Sequence, residues 1–163
     1  GDLCVVSTLG QGSVFTLDLP MEVAEPPRIT EPLLQEVLNL SGVRILVAED
    51  NAVNQVVVTR FLERLGAEVT VAADGQACLD AWERVGPDLV LMDCHMPIMN
   101  GYQAAVVLRE RGVCTPIIAL TANNMPGDRV RSLQSGMDDH LGKPIQPDAL
   151  SACLQRWLRP KAS

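Results

Sequence analysis

The chain has 163 residues, of which 47% are hydrophobic and 20% charged, and its formal net charge is −7. This length suits one ordinary domain with a tail, and the composition is that of a globular protein. No apolar run approaches the roughly 18 residues of a membrane span, no signal-peptide pattern opens the chain, and the acidic balance disfavours binding to a phosphate backbone. We therefore expect a cytoplasmic location, no direct membrane contact and no nucleic acid partner.

The cysteines predict neither a zinc site nor a disulfide framework, because they are odd in number, widely spaced and include no Cys-x-x-Cys pair. They are Cys4, Cys78, Cys94, Cys114 and Cys153. We interpret them as small, buried, apolar residues in a reducing compartment.

Residues 1–20 contain two runs of alternating apolar and polar residues on either side of Gly10-Gln11-Gly12. In the second run Phe15, Leu17 and Leu19 share one face, which predicts a half-buried β-hairpin. A Gly-x-Gly sequence can also bind phosphate, but a turn between two strands is the favoured interpretation. Because the chain opens in the middle of this pattern, we expect it to be part of a longer protein.

Residues 21–42 are predicted to be a linker with one short helix. Pro26-Pro27 indicates an extended segment, and Pro32 stands where the first turn of a helix accepts a proline. Ser41-Gly42 ends this helical pattern. A main domain over residues 43–160 is expected to follow.

From Val43 onward, strand and helix patterns alternate five times. The predicted strands are Val43–Ala48, Glu68–Ala72, Leu89–Met92, Pro116–Leu120 and Asp139–Leu141. The predicted helices are Ala52–Leu65, Gln76–Arg84, Tyr102–Arg111, Pro126–Gly136 and Pro147–Leu158. Five such units predict a parallel sheet that is covered by helices on both faces, with right-handed crossovers.

Asp93 stands at the carboxyl end of the third predicted strand, the edge at which open α/β sheets place their chemistry. The strand itself is a continuous apolar run, as expected for a strand buried on both faces. A carboxylate in this position can be a metal ligand, a nucleophile or simply the residue that caps the next helix.

Four of the five predicted strands deliver polar side chains to this same edge. Glu49 and Asp50 follow the first strand, Thr121 ends the fourth, and Lys143 follows the fifth. Three carboxylates at one edge repel each other and favour a hard cation such as Mg²⁺. An aspartate beside such an ion can attack a phosphoryl group, while a lysine and a hydroxyl stabilise the phosphoryl oxygens. The constellation therefore predicts an aspartyl phosphate.

Four motifs in this order resemble those of a response regulator receiver domain, and the resemblance extends from Val43 to Leu158. The motifs are Ile45–Asn51, Leu91–Gly101, Ala119–Asn123 and Lys143–Ile145. The resemblance implies an α/β, flavodoxin-like (βα)5 fold, a doubly wound parallel sheet with strand order 2-1-3-4-5, preceded here by the hairpin and linker. It also implies that Asp93 is the phosphoacceptor.

The resemblance further assigns the metal ligands. Mg²⁺ would be held by Asp50, Asp93 and the backbone carbonyl of His95, with Glu49 completing the acidic pair. An adjacent Cys94 and His95 could suggest a transition-metal site, but neighbouring residues rarely bind one ion together.

Thr121 is implied to be the switch hydroxyl and Lys143 the partner of the phosphate, with a cis peptide bond between Lys143 and Pro144. The aromatic residue that usually completes the switch is replaced by His140 in this sequence. We therefore expect the usual coupling between the hydroxyl and the ring to differ in this chain.

Finer features resemble the receivers of hybrid sensor histidine kinases: Asn54 four residues after Asp50, Leu120–Asn123 and Gly136–Leu141. Residues 7–20 resemble the last hairpin of a kinase ATPase domain whose nucleotide-contacting motifs are absent here, so no nucleotide-binding residue is expected. We therefore expect a multistep phosphorelay. The partners would be a kinase phosphohistidine domain and a histidine phosphotransfer domain, with the parent kinase at the inner membrane.

The first predicted helix also carries a candidate docking surface. Its core-facing arc contains the following apolar residues: Val53, Val57, Val58, Phe61, Leu62 and Leu65. Val56 falls outside this arc, on the side of the helix where Val53 marks the edge of the arc. We predict that Val53, Asn54 and Val56 contact the phosphotransfer domain.

Two other functions remain as alternatives. An aspartate-nucleophile phosphohydrolase typically carries a second aspartate two residues after the nucleophile, where this chain has His95. An unphosphorylated interaction module would be expected to lose one of the key residues, and none is lost. The chain itself is expected to catalyse only its own phosphorylation and dephosphorylation.

Overall fold

The computed structural model describes residues 2–10, 12–18, 38–122 and 126–158. The chain divides into two compact units, one within residues 1–35 and the other within residues 36–163. Within the described ranges, no helix has the length and apolar character that a bilayer crossing requires.

The first unit contains the predicted hairpin. Strands β1 (Asp2–Thr8) and β2 (Gly12–Asp18) pair antiparallel, with Asp2 opposite Asp18 and Thr8 opposite Gly12. Every residue of both strands is exposed, so the predicted half-burial is not observed among the described residues. A two-stranded ribbon by itself has no second layer against which to bury a face.

The second unit is a five-stranded parallel sheet with five helices, and it confirms the predicted fold class. The strands are β3 (Arg44–Ala48), β4 (Glu68–Ala72), β5 (Leu89–Asp93), β6 (Ile117–Thr121) and β7 (Asp139–Gly142). The helices are α1 (Ala52–Arg64), α2 (Gly75–Val85), α3 (Gly101–Glu110), α4 (Pro126–Gln134) and α5 (Pro147–Trp157). The strand order β4-β3-β5-β6-β7 is the predicted 2-1-3-4-5 order of the βα units.

Two core layers lie on opposite faces of this sheet. Strands β5 and β6 are buried at every residue, as their uninterrupted apolar runs predict. One face packs against α2 and α3, and the other packs against α1 and α5. The helices α1 and α3, which follow the neighbouring strands β3 and β5, therefore lie on opposite sides of the sheet.

The last residues of the predicted linker join the second core layer. Leu40 is 1% exposed, and its N–H donates to the carbonyl of Leu65 at 2.7 Å. Residues 38–40 are not helical, and the rest of the predicted linker helix lies outside the described residues. The packed part of the second unit thus begins before β3.

Asparagine or aspartate caps the first three helices at the edge where the preceding strands end. The Asn51 side chain accepts from two N–H groups of α1, and Asp74 accepts from the N–H of Ala77 in α2. Asn100 forms a reciprocal capping box with Gln103 in α3. These caps fix the helix starts, and with them the loops that carry the candidate site.

Arg109 links α3 to β6 and β7 at the edge of the sheet where these strands begin. Its guanidinium donates to the carbonyls of Gly136 at 2.7 Å, Val113 at 2.6 Å and Thr115 at 3.0 Å, and to the carboxylate of Asp138 at 2.6 Å. The end of α3 is thereby joined to the start of β6 and to the turn before β7. Loss of this one side chain would leave several acceptors without their donor.

Replacing Arg109 by Met should lower the free energy of unfolding by about 2–3 kcal/mol, because the variant keeps the apolar stem but loses every hydrogen bond of the guanidinium. Urea unfolding measures this loss. Arg111→Met is the matched control, since Arg111 pairs with Glu83 through side chains that are 43% and 65% exposed. The control should lose about 0.5 kcal/mol, and equal losses in both variants would contradict the anchoring role of Arg109.

Candidate functional site

Three carboxylates meet at the carboxyl edge of the sheet. Glu49 directly follows β3 and is fully buried, Asp93 ends β5 and is 5% exposed, and Asp50 is exposed. One oxygen from each of the three carboxylates can be chosen so that all lie within 4.8 Å of one another. The strand ends therefore bring together the three acids that the sequence singled out.

Lys143 lies between two of these acids. Its Nζ is 2.6 Å from Glu49 Oε2 and 2.6 Å from Asp93 Oδ2. The backbone N–H of Lys143 donates to the carbonyl of Thr121 at 2.7 Å, and the peptide bond from Lys143 to Pro144 is cis, as expected. Burial opposes the charged form of the ammonium, but the hydrogen bonds and charges of Asp93 and Glu49 prevail and raise the pKa of Lys143.

Side-chain amides from α1 orient Glu49. Asn54 Nδ2 donates to Glu49 Oε1 at 2.8 Å, and Gln55 Nε2 donates to the Glu49 carbonyl at 2.6 Å. Asn54, which we predicted to face a partner, thus also contacts a buried acid. Gln55 was not among the site residues predicted from the sequence. Its only signal was a second amide directly after Asn54 in the first turn of the helix.

The two oxygens of Asp93 have different partners. The N–H of His95 donates to Oδ1 at 3.0 Å, and Lys143 holds Oδ2. The imidazole of His95 packs edge-on against the ring of Tyr102, with a centroid distance of 6.0 Å. The backbone of His95 is therefore held next to Asp93, where its carbonyl was predicted to serve as a ligand.

Two glycines allow the loop after Asp93 to pack closely. A Cβ at Gly101 would stand 2.1 Å from the carbonyl oxygen of Asp93, and a Cβ at Gly75 would stand 2.6 Å from the carbonyl oxygen of Met99. The N–H of Gly75 donates to that same Met99 oxygen at 3.0 Å. Because both approaches exclude any side chain, the loop is confined between β5 and the start of α2.

Tyr102 connects this loop to α4. The guanidinium carbon of Arg131 lies 4.2 Å from its ring centroid, and Cys94 Sγ lies 3.9 Å from Ser132 Oγ on the same helix. Burial first, and then the Cys94 thiol, raises the pKa of Tyr102 to about 12. The phenol therefore stays neutral, and its ring joins the site to α4. This role of Tyr102 was not predicted from the sequence.

The predicted switch residues occupy neighbouring strands. Thr121 is 1% exposed, and its hydroxyl donates to the carbonyl of Leu141 at 3.5 Å. His140 Nδ1 lies 3.7 Å from Asp139 Oδ1. Burial opposes ionisation of Asp139, but hydrogen bonds from Trp157 and from the His140 backbone lower its pKa. An ionised carboxylate thus lies next to the His140 ring.

The exposed face of α1 is more apolar than the sequence predicted. Val53 is 71% exposed, Val56 is 54% exposed and Val57 is 59% exposed, whereas Val58 and Leu62 are buried. The core-facing assignment of Val53 and Val57 was wrong, because the sheet and α5 cover a narrower stripe of the helix than the run of apolar residues suggests. Val53, Val56 and Val57 therefore form one exposed row, which we call the valine row.

Residues 45–155 match the profile of the response regulator receiver domain family. Among curated proteins, the aerobic respiration control sensor protein ArcB of Escherichia coli K12 is 35% identical over 161 residues, covering 96% of this chain and 20% of ArcB. The chain spans between 7% and 20% of the length of the first curated relatives that it matches.

Among the solved structures that share the fold are two receiver domains with informative contents. The receiver domain of sensor histidine kinase PA1611 from Pseudomonas aeruginosa PAO1 has a magnesium ion coordinated in its active site cleft. It is 47% identical with a TM-score of 0.67, and the match covers 72% of this chain and 98% of that one. The second is a co-crystal of the Saccharomyces cerevisiae histidine phosphotransfer protein Ypd1 with the receiver domain of its response regulator Ssk1. It matches at 30% identity and a TM-score of 0.67, covering 72% of this chain and 90% of that one. Since the family match covers most of the chain, including the acidic edge and Lys143, this chain belongs to the response regulator receiver domain family.

Proposed function

We propose that this chain accepts a phosphoryl group on Asp93 from the phosphohistidine of a histidine kinase and passes it to a histidine phosphotransfer domain. One observation carries the proposal. The Asp93 carboxylate lies among two further acids and 2.6 Å from the ammonium of Lys143, at the edge where parallel sheets place their chemistry. A carboxylate that only capped a helix would need none of these neighbours.

The donor set of the site suits Mg²⁺. Glu49, Asp50 and Asp93 offer only oxygen ligands, and with Lys143 they leave an excess of two negative charges, because three carboxylates face one ammonium. We propose that Asp50, Asp93 and the backbone carbonyl of His95 hold the ion, while Glu49 contributes charge. When bound, the ion supplies positive charge to the phosphoryl oxygens. The magnesium in the PA1611 receiver supports this assignment.

In the transfer step an oxygen of Asp93 attacks the phosphorus, and the bond from phosphorus to the donor nitrogen breaks. The donor histidine, protonated on its other ring nitrogen, leaves as neutral imidazole with the electron pair of that bond. Lys143 stays charged, because its pKa is raised, and can pair with a phosphoryl oxygen. Among the described residues, the Thr121 hydroxyl makes one hydrogen bond, a long one of 3.5 Å, which it can exchange for a bond to a phosphoryl oxygen. We propose that Thr121 and His140 are the residues that change conformation when Asp93 is phosphorylated.

The parent protein that we propose is a hybrid sensor histidine kinase. The PA1611 receiver belongs to a sensor histidine kinase, and the match to ArcB extends over the residues before the receiver as well. We propose that residues 1–20 end a kinase ATPase domain, residues 21–42 form a linker and residues 43–160 form the receiver. Because such a kinase draws on ATP, we propose that the chain works in the cytoplasm.

We propose that Val53, Asn54 and Val56 contact the phosphotransfer domain. A partner that brings its histidine to Asp93 has to cover the start of α1, and the valine row offers it an apolar surface. The Ypd1–Ssk1 complex supports this class of partner. A phosphohydrolase is less well supported, because the position of its second aspartate is occupied by His95, whose imidazole packs against Tyr102.

Acetyl phosphate with Mg²⁺ should add one phosphoryl group to Asp93, because the acids and Lys143 prepare that carboxylate for attack. Intact-protein mass spectrometry measures the addition. Asp93→Asn should abolish it, while Asp80→Asn, a change at an exposed acid on α2, should leave it intact. Unchanged labelling of Asp93→Asn would refute the assignment of the phosphoacceptor.

Mg²⁺ should stabilise the folded chain, because it relieves a carboxylate repulsion that the unfolded chain lacks. At about a hundred times its dissociation constant the gain is about 2.7 kcal/mol. Thermal unfolding with Mg²⁺ or with a chelator should differ in the wild type and in Asp80→Asn, but much less in Asp50→Asn. A similar shift in all three proteins would argue against the acidic edge as the binding site.

Val56→Glu should leave folding and acetyl phosphate labelling intact but slow transfer from a phosphorylated phosphotransfer domain several-fold. Burial of one valine at the interface is worth about 1.5 kcal/mol, or roughly tenfold in affinity. Transfer rates are measured below saturation. Val130→Glu on α4 is the matched control, because Val130 is 52% exposed and Val56 is 54% exposed. Equal rates in Val56→Glu and wild type would remove the valine row from the docking surface.

A further inference from the structure

Asp50 is the least restrained of the three acids at the carboxyl edge of the sheet. The other two, Glu49 and Asp93, are buried, and the carboxylates of both contact the ammonium of Lys143. Asp50 is exposed, and in the described part of the chain no group donates a hydrogen bond to its carboxylate. The position of this carboxylate therefore depends on the backbone that carries it.

The side chain of Gln55 holds that backbone in place. Its Nε2 donates at 2.6 Å to the carbonyl of Glu49, which belongs to the peptide group that joins Glu49 to Asp50. The N–H of Glu49 donates to the carbonyl of Ala72 in the neighbouring strand at 3.0 Å. The residue directly before Asp50 is thus fixed through both its N–H and its carbonyl.

Gln55 is itself well placed to act as an anchor. It is half-buried in the first turn of α1, and its own N–H donates to the carbonyl of Asn51 at 2.9 Å. Asn51 caps the same helix. Because helices hold side chains more precisely than loops do, an amide carried by α1 can fix the short loop that contains Asp50.

The precision of a carboxylate ligand matters more to Mg²⁺ than to Ca²⁺. Mg²⁺ demands a nearly ideal octahedron of close oxygen ligands, whereas Ca²⁺ is larger and accepts a flexible arrangement. Groups that orient a metal ligand without touching the metal typically contribute roughly 10- to 100-fold to affinity. An acid that can drift should therefore weaken the binding of Mg²⁺ more than that of Ca²⁺.

We propose that Gln55 is a positioning residue that holds Asp50 for Mg²⁺ and thereby makes the acidic edge select Mg²⁺ over Ca²⁺. This inference rests on the proposed function, in which Asp50 is a ligand of the ion. Gln55 acts through the peptide group between Glu49 and Asp50, to which its amide is bonded. Since the amide is neutral, its removal changes the geometry of the site and leaves the charge of the site unchanged.

Isothermal titration of the full chain with Mg²⁺ and, separately, with Ca²⁺ tests the proposal. Gln55→Met keeps the length of the side chain but loses the donor. It should raise the dissociation constant of Mg²⁺ about tenfold and that of Ca²⁺ less than about threefold. Asp50→Asn should weaken the binding of both ions to a similar extent, because it removes a charged ligand.

Gln76→Met is the matched control. Gln76 also lies in the first turn of a helix, α2, and its Nε2 donates to the carboxylate of Asp80 at 3.0 Å on the exposed surface. This change should alter neither dissociation constant. Gln55→Asn, which keeps an amide on a shorter stem, should show the same selective loss of Mg²⁺ binding as Gln55→Met.

Acetyl phosphate labelling separates positioning from folding. In Gln55→Met the Mg²⁺ concentration that gives half of the maximal labelling rate should rise about tenfold, while the maximal rate stays within about threefold of the wild type. A residue that only stabilised the fold would lower the maximal rate and leave that concentration unchanged.

Wild-type affinity for Mg²⁺ in Gln55→Met would overturn the inference, and so would an equal loss of affinity for Mg²⁺ and Ca²⁺. A wild-type chain that binds both ions equally well would also overturn it. A wild-type chain that neither binds Mg²⁺ nor is labelled by acetyl phosphate would instead refute the proposed function itself.

Discussion

The ammonium of Lys143, shared between Glu49 and Asp93, is the contact on which the rest of the acidic edge depends. Both carboxylates are buried, and two buried like charges without a cation would strongly oppose folding. Lys143 reaches them because β7 runs parallel beside β6 and ties the Lys143 backbone to Thr121. One positive charge is enough to hold the acids together, but it leaves a negative excess that favours further cationic ligands. The same interaction thus stabilises the fold and prepares the chemistry.

Most of the fold and the main members of the site could be predicted from the sequence, because both follow from short patterns. Buried parallel strands are continuous apolar runs that end at turn residues, and parallel connections bring every strand end to one edge. Asp93, Thr121 and Lys143 could therefore be placed together without coordinates. The width of the helix face that its neighbours cover could not be predicted, since it depends on how those neighbours pack. Val53 and Val57 were therefore wrongly assigned to the core.

Other features depend on contacts between distant parts of the chain. Tyr102 looks like an ordinary core aromatic until its contacts with Arg131 and His95 are known. The amides of Asn54 and Gln55 look like solvent-facing residues of a first turn until Glu49 is found beneath them. No local sequence pattern distinguishes these residues from aromatic and amide residues that have no role in a site.

The hydrogen bonds of Arg109 also determine how the end of α4 is held. The carbonyl of Gly136, just beyond the end of this helix, accepts from Arg109, and the N–H of Met137 donates back to the carbonyl of Ser132. In the last turn of the same helix, Arg131 and Ser132 contact Tyr102 and Cys94. The described contacts of α4 with α3 and with the loop after Asp93 therefore converge on one end of the helix, which is the part that a shift of either neighbour would reach first.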